Sequence, residues 1–223
     1  MSELIIYGHW VSQPSRAVMW LCLENDTKFT FKEVDPMSGG TKTPEFLSLT
    51  SIPTIPTISD GDFNLSESNA ILIYLAEKYN WSKWYPNNFQ TRAKINQYLH
   101  WHHFNTRFLT IKLFRPAFIA AIKKKDFKEV IKNNANSIIN VFNHIESWLS
   151  KSQFLCTNDF PTVADIACYC EMDQLKILNM YDFSPYPNIT RWMNYIEALP
   201  HYEESHQALN FLNGFFAKRA SAL

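Results

Sequence analysis

The sequence predicts an α/β domain of βαβ-α-ββα order followed by an all-helical bundle domain. Three observations carry this. Two strand patterns flank a helix near the start; a strand, a turn, a strand and a helix follow before residue 80; beyond residue 90 only helical periods divided by prolines remain. Residues 4–7 are an apolar run closed by Gly8, and residues 29–34 alternate as a strand does. The helix between them starts near Pro14, carries Ala17, Val18, Leu21 and Cys22 on one face and stops at Asn25-Asp26. Strands joined through such a helix run parallel, with a right-handed crossover. A polar loop over 35–43 and a short helix around 45–49 lead to strand 57–59, the turn Asp60-Gly61-Asp62 and strand 63–65. Residues 66–79 then have a polar, capping start and a core face of Ile71, Tyr74 and Leu75. Residues 81–90, with Asn, Trp and Pro, break every period and read as a linker between a first domain, 1–80, and a second, 91–223. Helices are expected over 91–114, 127–150, 162–179, 189–198 and 202–217.

Composition removes several functions. Lys plus Arg and Asp plus Glu each total 21 in 223 residues, so no global field draws the chain to nucleic acid or to an anionic membrane. Five glycines, at 8, 39, 40, 61 and 214, cannot form a dinucleotide or phosphate-binding glycine loop. No apolar stretch, 117–122 among them, comes near the length of a membrane span. The start has no basic and apolar leader pattern, so a cytoplasmic protein is expected, with Cys22, Cys156, Cys168 and Cys170 as free, buried thiols. His100 and His103 share a helical face without a third ligand in step, so no metal site is expected.

Three segments carry chemistry. Ser12-Gln13-Pro14-Ser15 lies where the first strand hands over to the first helix, the place where a thioredoxin-like fold keeps a Cys-x-x-Cys pair. Two serines cannot cycle through a disulfide, yet the unpaired N–H groups of the helix start still favour an anion beside Ser12. A plain N-cap role for Ser12 stands beside that reading. Ile55-Pro56 precedes a short strand, and proline blocks regular ladder pairing there; a cis bond would turn the Ile55 backbone outward towards an extended ligand. Glu67-Ser68 starts a helix directly after a strand and offers an anion and a hydroxyl, a match for an α-amino acid head group or simply a cap.

Together with Asp60-Gly61-Asp62-Phe63 and the run Asn69-Ala70-Ile71-Leu72-Ile73-Tyr74-Leu75, these segments resemble the amino-terminal domain of a cytosolic glutathione transferase, nearest the theta class. Thr162-Val163-Ala164-Asp165 is similar to the family's buried capping box, so Thr162, Asp165 and Pro56 are expected to be structural. The resemblance implies Ser12 as the catalytic residue, donating a hydrogen bond to the glutathione sulfur. It implies glutathione contacts from Gln13, Thr41, Lys42, Thr54, Ile55, Glu67 and Ser68, with Thr41 and Thr54 standing where basic residues are usual. Phe104, Phe108, Ile111 and Phe114 follow helical spacing, which fits either the lining of an apolar electrophile pocket or the core between helices; the resemblance implies that Arg107 faces that pocket and polarises the electrophile or its leaving group. It also implies a homodimer that conjugates glutathione, as co-substrate rather than cofactor, to small hydrophobic electrophiles in detoxification; peroxidase activity is a further family option. Because theta relatives usually run longer, an open electrophile pocket is expected. A non-catalytic ligand-binding or interaction module of the same fold is the alternative.

Overall fold

The computed structural model describes residues 3–220. Strands β1 (Leu4–Gly8), β2 (Thr30–Glu33), β3 (Thr57–Asp60) and β4 (Phe63–Ser66) form one sheet in the order β2-β1-β3-β4. β1 runs parallel to β2, pairing Ile6 with Phe31, and antiparallel to β3, pairing Ile6 with Ile58; β3 pairs antiparallel with β4. The hairpin turns at Gly61, whose φ of 63° is one that a side chain would resist. Helix α1 (Gln13–Glu24) crosses from β1 to β2, α2 (Pro44–Leu49) follows, and α3 (Ser68–Lys78) leaves β4. Ile6 and Ile58 of the sheet and Val18, Leu21, Ile71, Leu72 and Leu75 of α1 and α3 share one core.

Helix α1 departs from the single apolar face that its spacing predicts. Arg16, Met19 and Trp20 are as fully buried as Val18 and Leu21. The reason is a second neighbour: α8 (Val163–Ile177) packs against α1. The stretch read as a linker is also packed, with Trp81, Trp84 and Tyr85 buried, and the Val163 N–H donates to the Trp84 carbonyl at 2.9 Å.

The remaining helices are α4 (Phe89–His102), α5 (Arg115–Ile122), α6 (Phe127–Ala135), α7 (Ile139–Leu149), α9 (Pro187–Glu197) and α10 (Tyr202–Ala220). The continuous helix expected over 91–114 is broken. After His102 come turns, then a π-helical segment at Leu109–Phe114. The Asn105 side chain takes the Trp101 carbonyl at 2.9 Å, the acceptor that its own N–H would use in a continuing helix, and the Arg107 N–H reaches back five residues to His102. The helix expected over 127–150 is likewise divided, by a 3-10 turn at Asn136–Ile138. At the start of α8 the Asp165 carboxylate accepts from the Thr162 N–H at 2.8 Å, the bond of the capping motif, and in addition from the Thr162 hydroxyl at 3.0 Å. It also accepts from the Leu155 N–H and the Trp192 indole, each at 2.9 Å, tying α8 to α9 and the preceding loop.

Candidate active site

A cleft of about 170 Å³ opens between the sheet domain and the helices. One wall is Pro14, Thr54, Ile55, Pro56, Glu67 and Ser68; the other is His102, His103, Arg107 and Glu171. The Ile55-Pro56 bond is cis.

Two helix starts serve the first wall. Ser12 holds the N-cap position of α1 and makes no side-chain capping bond. Its Oγ accepts instead from the Ser15 hydroxyl at 3.1 Å, while its N–H donates to the His9 carbonyl at 2.9 Å. Glu67 holds the N-cap position of α3, also without a side-chain cap, at φ 72° and ψ 105°. A left-handed backbone at a non-glycine residue costs on the order of 1–3 kcal/mol and persists where the surroundings enforce it. Here the Ile71 N–H closes the first turn onto the Glu67 carbonyl at 2.9 Å, and the Glu67 side chain is left exposed at the cleft. Both starts therefore keep backbone N–H groups free of side-chain caps, which suits a ligand with carboxylates.

The second wall is a connected polar cluster. Arg107 Nη1 meets Glu171 Oε1 at 2.6 Å and donates to Gln13 Oε1 at 3.2 Å. The Thr110 hydroxyl donates to the other Glu171 oxygen, and Gln174 Nε2 donates to Thr110 Oγ1 at 2.6 Å. Gln13 Nε2 donates to Gln174 Oε1. Glu171 is buried, which raises its pKa against the opposing pull of Arg107. Burial, with the neighbouring His103 and Arg107, pushes the His102 pKa down to about 3, so its ring is neutral at physiological pH. The ring's Nδ1 lies 3.2 Å from the Tyr98 hydroxyl.

The residues expected from the sequence are thus divided. Thr54, Ile55, Pro56, Glu67, Ser68 and Arg107 meet at the cleft; Ser12 and Gln13 directly precede Pro14 at the start of α1 and are not among the lining residues. Gln13 is committed to Gln174 and Arg107, which leaves little of its side chain for a ligand. Thr41 is buried and Lys42 exposed on a 3-10 turn, neither of them in the cleft wall. Phe104, Phe108 and Ile111 are not brought to the cleft either. Phe104 is 76% exposed, because the helix breaks at the turn that carries it. Ile111 faces a separate surface groove with Arg115, Pro116 and Ile119, and Phe108 packs under the Lys112 ammonium, 4.5 Å from the ring centroid.

Two groups of residues went unpredicted. His102 and Glu171 complete the cleft wall, and a buried ionic node lies behind it. Arg16 Nη2 donates to both Asp173 oxygens at 2.8 Å and His206 Nε2 lies 2.7 Å from Asp173, with all three side chains shielded from water. Arg16 Nη1 also holds the Trp10 and Val11 carbonyls, at 3.2 and 3.3 Å, just before Ser12. All four cysteines are free and buried, as expected, and burial pushes each thiol up in pKa. Among the described residues no group of three or more His, Cys, Asp or Glu is placed to hold a metal, and no helix is long and apolar enough to cross a membrane.

Comparison with known proteins assigns the arrangement. The family descriptions "Glutathione S-transferase, N-terminal domain" and "Glutathione S-transferase, C-terminal domain" match residues 2–77 and 109–200. Glutathione S-transferase T1 of Arabidopsis thaliana is 31% identical over 98% of this chain and 94% of its own length. The chain belongs to the glutathione S-transferase family. Its relatives are of the theta class: glutathione S-transferase theta-2 of Rattus norvegicus is 30% identical, covering 97% of this chain and 91% of its own. Against two further Arabidopsis relatives, T3 and T2, the chain spans 37% of their length. Among solved transferases, human theta-2 in complex with glutathione superposes with a TM-score of 0.78 at 29% identity, covering 97% of this chain and 91% of that one. A Bombyx mori glutathione transferase superposes with a TM-score of 0.85 at 25% identity, covering 96% and 98%. Transferases of this family use glutathione as a co-substrate and need no other cofactor.

Proposed function

We propose that this transferase conjugates glutathione to small hydrophobic electrophiles, with Ser12 stabilising the thiolate. The observation that carries the reading is the Ser15-to-Ser12 hydrogen bond at the start of α1. With its oxygen already accepting, the Ser12 hydroxyl is polarised to donate its own proton, and a sulfur anion beside the helix start is the natural acceptor. A thiol of pKa about 8.5 is mostly protonated at pH 7, and lowering it by about two units requires ~2.7 kcal/mol of preference for the thiolate. A charge-assisted hydrogen bond of about 1.5–3 kcal/mol and a helix terminus of about 0.3–1 kcal/mol supply that much.

In this reading Glu67 receives the γ-glutamyl ammonium, Ser68 and the start of α3 receive its carboxylate, and the outward Ile55 backbone pairs with the cysteinyl amide. Lys42 is the cation for the glycyl carboxylate, with Thr41 and Thr54 as its polar neighbours. The sheet domain, 1–80, holds glutathione; the helices, 91–223, hold the electrophile across the 81–90 connection; and the working unit is a homodimer. Arg107, bound to Glu171, forms the boundary of the electrophile side. Titration calorimetry with glutathione, together with turnover of an epoxide or halogenated electrophile, tests this reading. Binding with turnover lowered at least about tenfold by Ser12→Ala supports it. Binding without turnover identifies a ligand-binding module of the same fold, and absence of binding overturns the glutathione reading.

A further inference from the structure

The 21 basic and 21 acidic residues cancel over the whole chain, but they are not evenly spread. Residues 112–132 hold seven of the Lys and Arg against two of the Asp and Glu, five net positive charges that the rest of the chain balances. This stretch covers the end of the π-helical segment, α5, the turn after it and most of α6, which packs against α5. Of its two carboxylates, Asp126 is engaged as the cap of α6, accepting from the Lys128 N–H at 2.8 Å. Among the described residues, no carboxylate pairs with Lys112, Arg115, Lys123, Lys124 or Lys125. The three consecutive lysines end α5 with their N–H groups on the Ile119, Ala121 and Ala120 carbonyls, at 3.0, 3.2 and 2.9 Å, and their side chains are exposed. Lys124 takes the left-handed backbone, φ 56°, that glycine usually supplies at a helix end. Apolar side chains lie open among these cations. Ile111 is 46% and Ile122 44% exposed, and an open groove of about 540 Å³ is lined by Ile111, Pro116 and Ile119 together with Arg115, Lys123 and Lys125, with no acidic residue.

We infer that this face, made by the π-helical segment, α5 and the lysine turn, docks on the surface of an anionic lipid bilayer. Arg115, Lys123, Lys124 and Lys125 meet the anionic headgroups, and Ile111 and Ile122 enter the boundary between headgroups and acyl chains. An interface of this kind needs no spanning helix. A polyanion such as nucleic acid matches the cations as well, but it offers nothing to two exposed aliphatic side chains, whereas a bilayer uses both. Segregation of charge fixes the approach: the positive end turns to the anionic surface and the negative remainder of the chain turns away from it. Docking here uses neither Ser12 nor glutathione, so it stands or falls apart from the glutathione reading.

Sedimentation of the full chain with vesicles of phosphatidylcholine alone, or of phosphatidylcholine with about one-third phosphatidylserine, tests this at about 50 and about 500 mM salt. Wild type is expected to bind the anionic vesicles at least about tenfold more tightly than the neutral ones at the lower salt, and to lose most of that preference at the higher. The triple variant Lys123→Gln/Lys124→Gln/Lys125→Gln is expected to weaken anionic-vesicle binding at least about tenfold. Lys28→Gln/Lys94→Gln/Lys151→Gln, which removes the same charge from exposed sites elsewhere, is expected to weaken it less than about threefold. Ile122→Ser is expected to weaken it about threefold or more with the salt dependence retained. All the side chains changed are exposed, so the melting temperatures should stay with wild type. Equal losses in the two triple variants, or an Ile122→Ser variant that binds as wild type does, overturn the inference. So does a wild type that does not distinguish the two vesicles, by binding both alike or by binding neither, whether or not it captures a duplex oligonucleotide instead.

Discussion

Asp173→Ala isolates a buried ionic contact between the sheet domain and the helices. In the native protein the Asp173 carboxylate receives both hydrogen bonds of Arg16 Nη2 and lies 2.7 Å from His206, with no water reaching any of the three side chains. Removal of the carboxylate leaves the guanidinium in place. Its remaining partners are the carbonyls of Trp10, Val11 and Cys170, and Arg16 Nε has no partner even in the native structure. Breaking a buried pair from one side costs about 3–5 kcal/mol, because the charge left behind is uncompensated. Against a domain stability of roughly 5–15 kcal/mol that is a large loss. Urea unfolding followed by tryptophan fluorescence reads it directly, since the buried Trp20 ring packs edge-on against His206, 5.0 Å between centroids. The double variant Arg16→Met/Asp173→Leu is expected to recover most of the loss, as apolar replacement of a whole buried pair is often neutral. Because Arg16 also holds the two carbonyls that precede Ser12, Asp173→Ala lowers turnover as well as stability. A loss below about 1 kcal/mol, the size of a solvent-exposed pair, would refute the reasoning.

Other expectations follow from single groups. The folded pKa of His102, about 3, lies below its ordinary 6.5. The unfolded chain therefore takes up a proton that the folded chain refuses, and His102 costs stability progressively from about pH 6.5 towards 3, by up to ~1.4 kcal/mol per pH unit. Melting temperatures of wild type and His102→Asn between pH 7.5 and 5 should diverge in slope, the variant being flatter; parallel curves would contradict the assignment. Asp165→Ala strands the buried donors of Leu155, Thr162 and Trp192 and is expected to cost at least about 3 kcal/mol in urea unfolding, with a loss under about 1 kcal/mol counting against the cap. Ser68→Ala should weaken glutathione at least about fivefold by calorimetry with little change in melting temperature, as the residue is only half-buried. Unchanged affinity would remove Ser68 from the binding site.

The order of strands and helices was legible in the sequence because local signals agreed with the final packing. Gly61 marked the hairpin, Pro14 the start of α1, Pro56 the irregular edge, and Thr162 with Asp165 the start of α8. The sheet-domain wall of the cleft was legible for the same reason: Ile55, Glu67 and Ser68 lie at element ends whose place the sequence marks. The helical wall was not. Arg16 reads as an ordinary helix charge until α8 covers α1, and its partner lies 157 residues away. Glu171, inside a helix between apolar neighbours, gave no sign that it would meet Arg107. Phe104 and Ile111 kept helical spacing, yet the chain leaves the α-helix at His103 and re-enters through a π-helical segment, which turns both side chains away from the cleft. A backbone change of a few residues shifts every later side chain on a helix, and periodicity alone carries no record of it.

The central claim, that Ser12 stabilises a glutathione thiolate, is tested most directly by titrating the bound thiol. Ultraviolet thiolate absorbance of the enzyme–glutathione complex, followed against pH in wild type and in Ser12→Ala, gives the bound sulfur's pKa without any electrophile present. The account predicts a wild-type value about two units below the free thiol's 8.5 and a return most of the way to 8.5 in the variant, with glutathione still bound. Identical titration curves for the two proteins would contradict it.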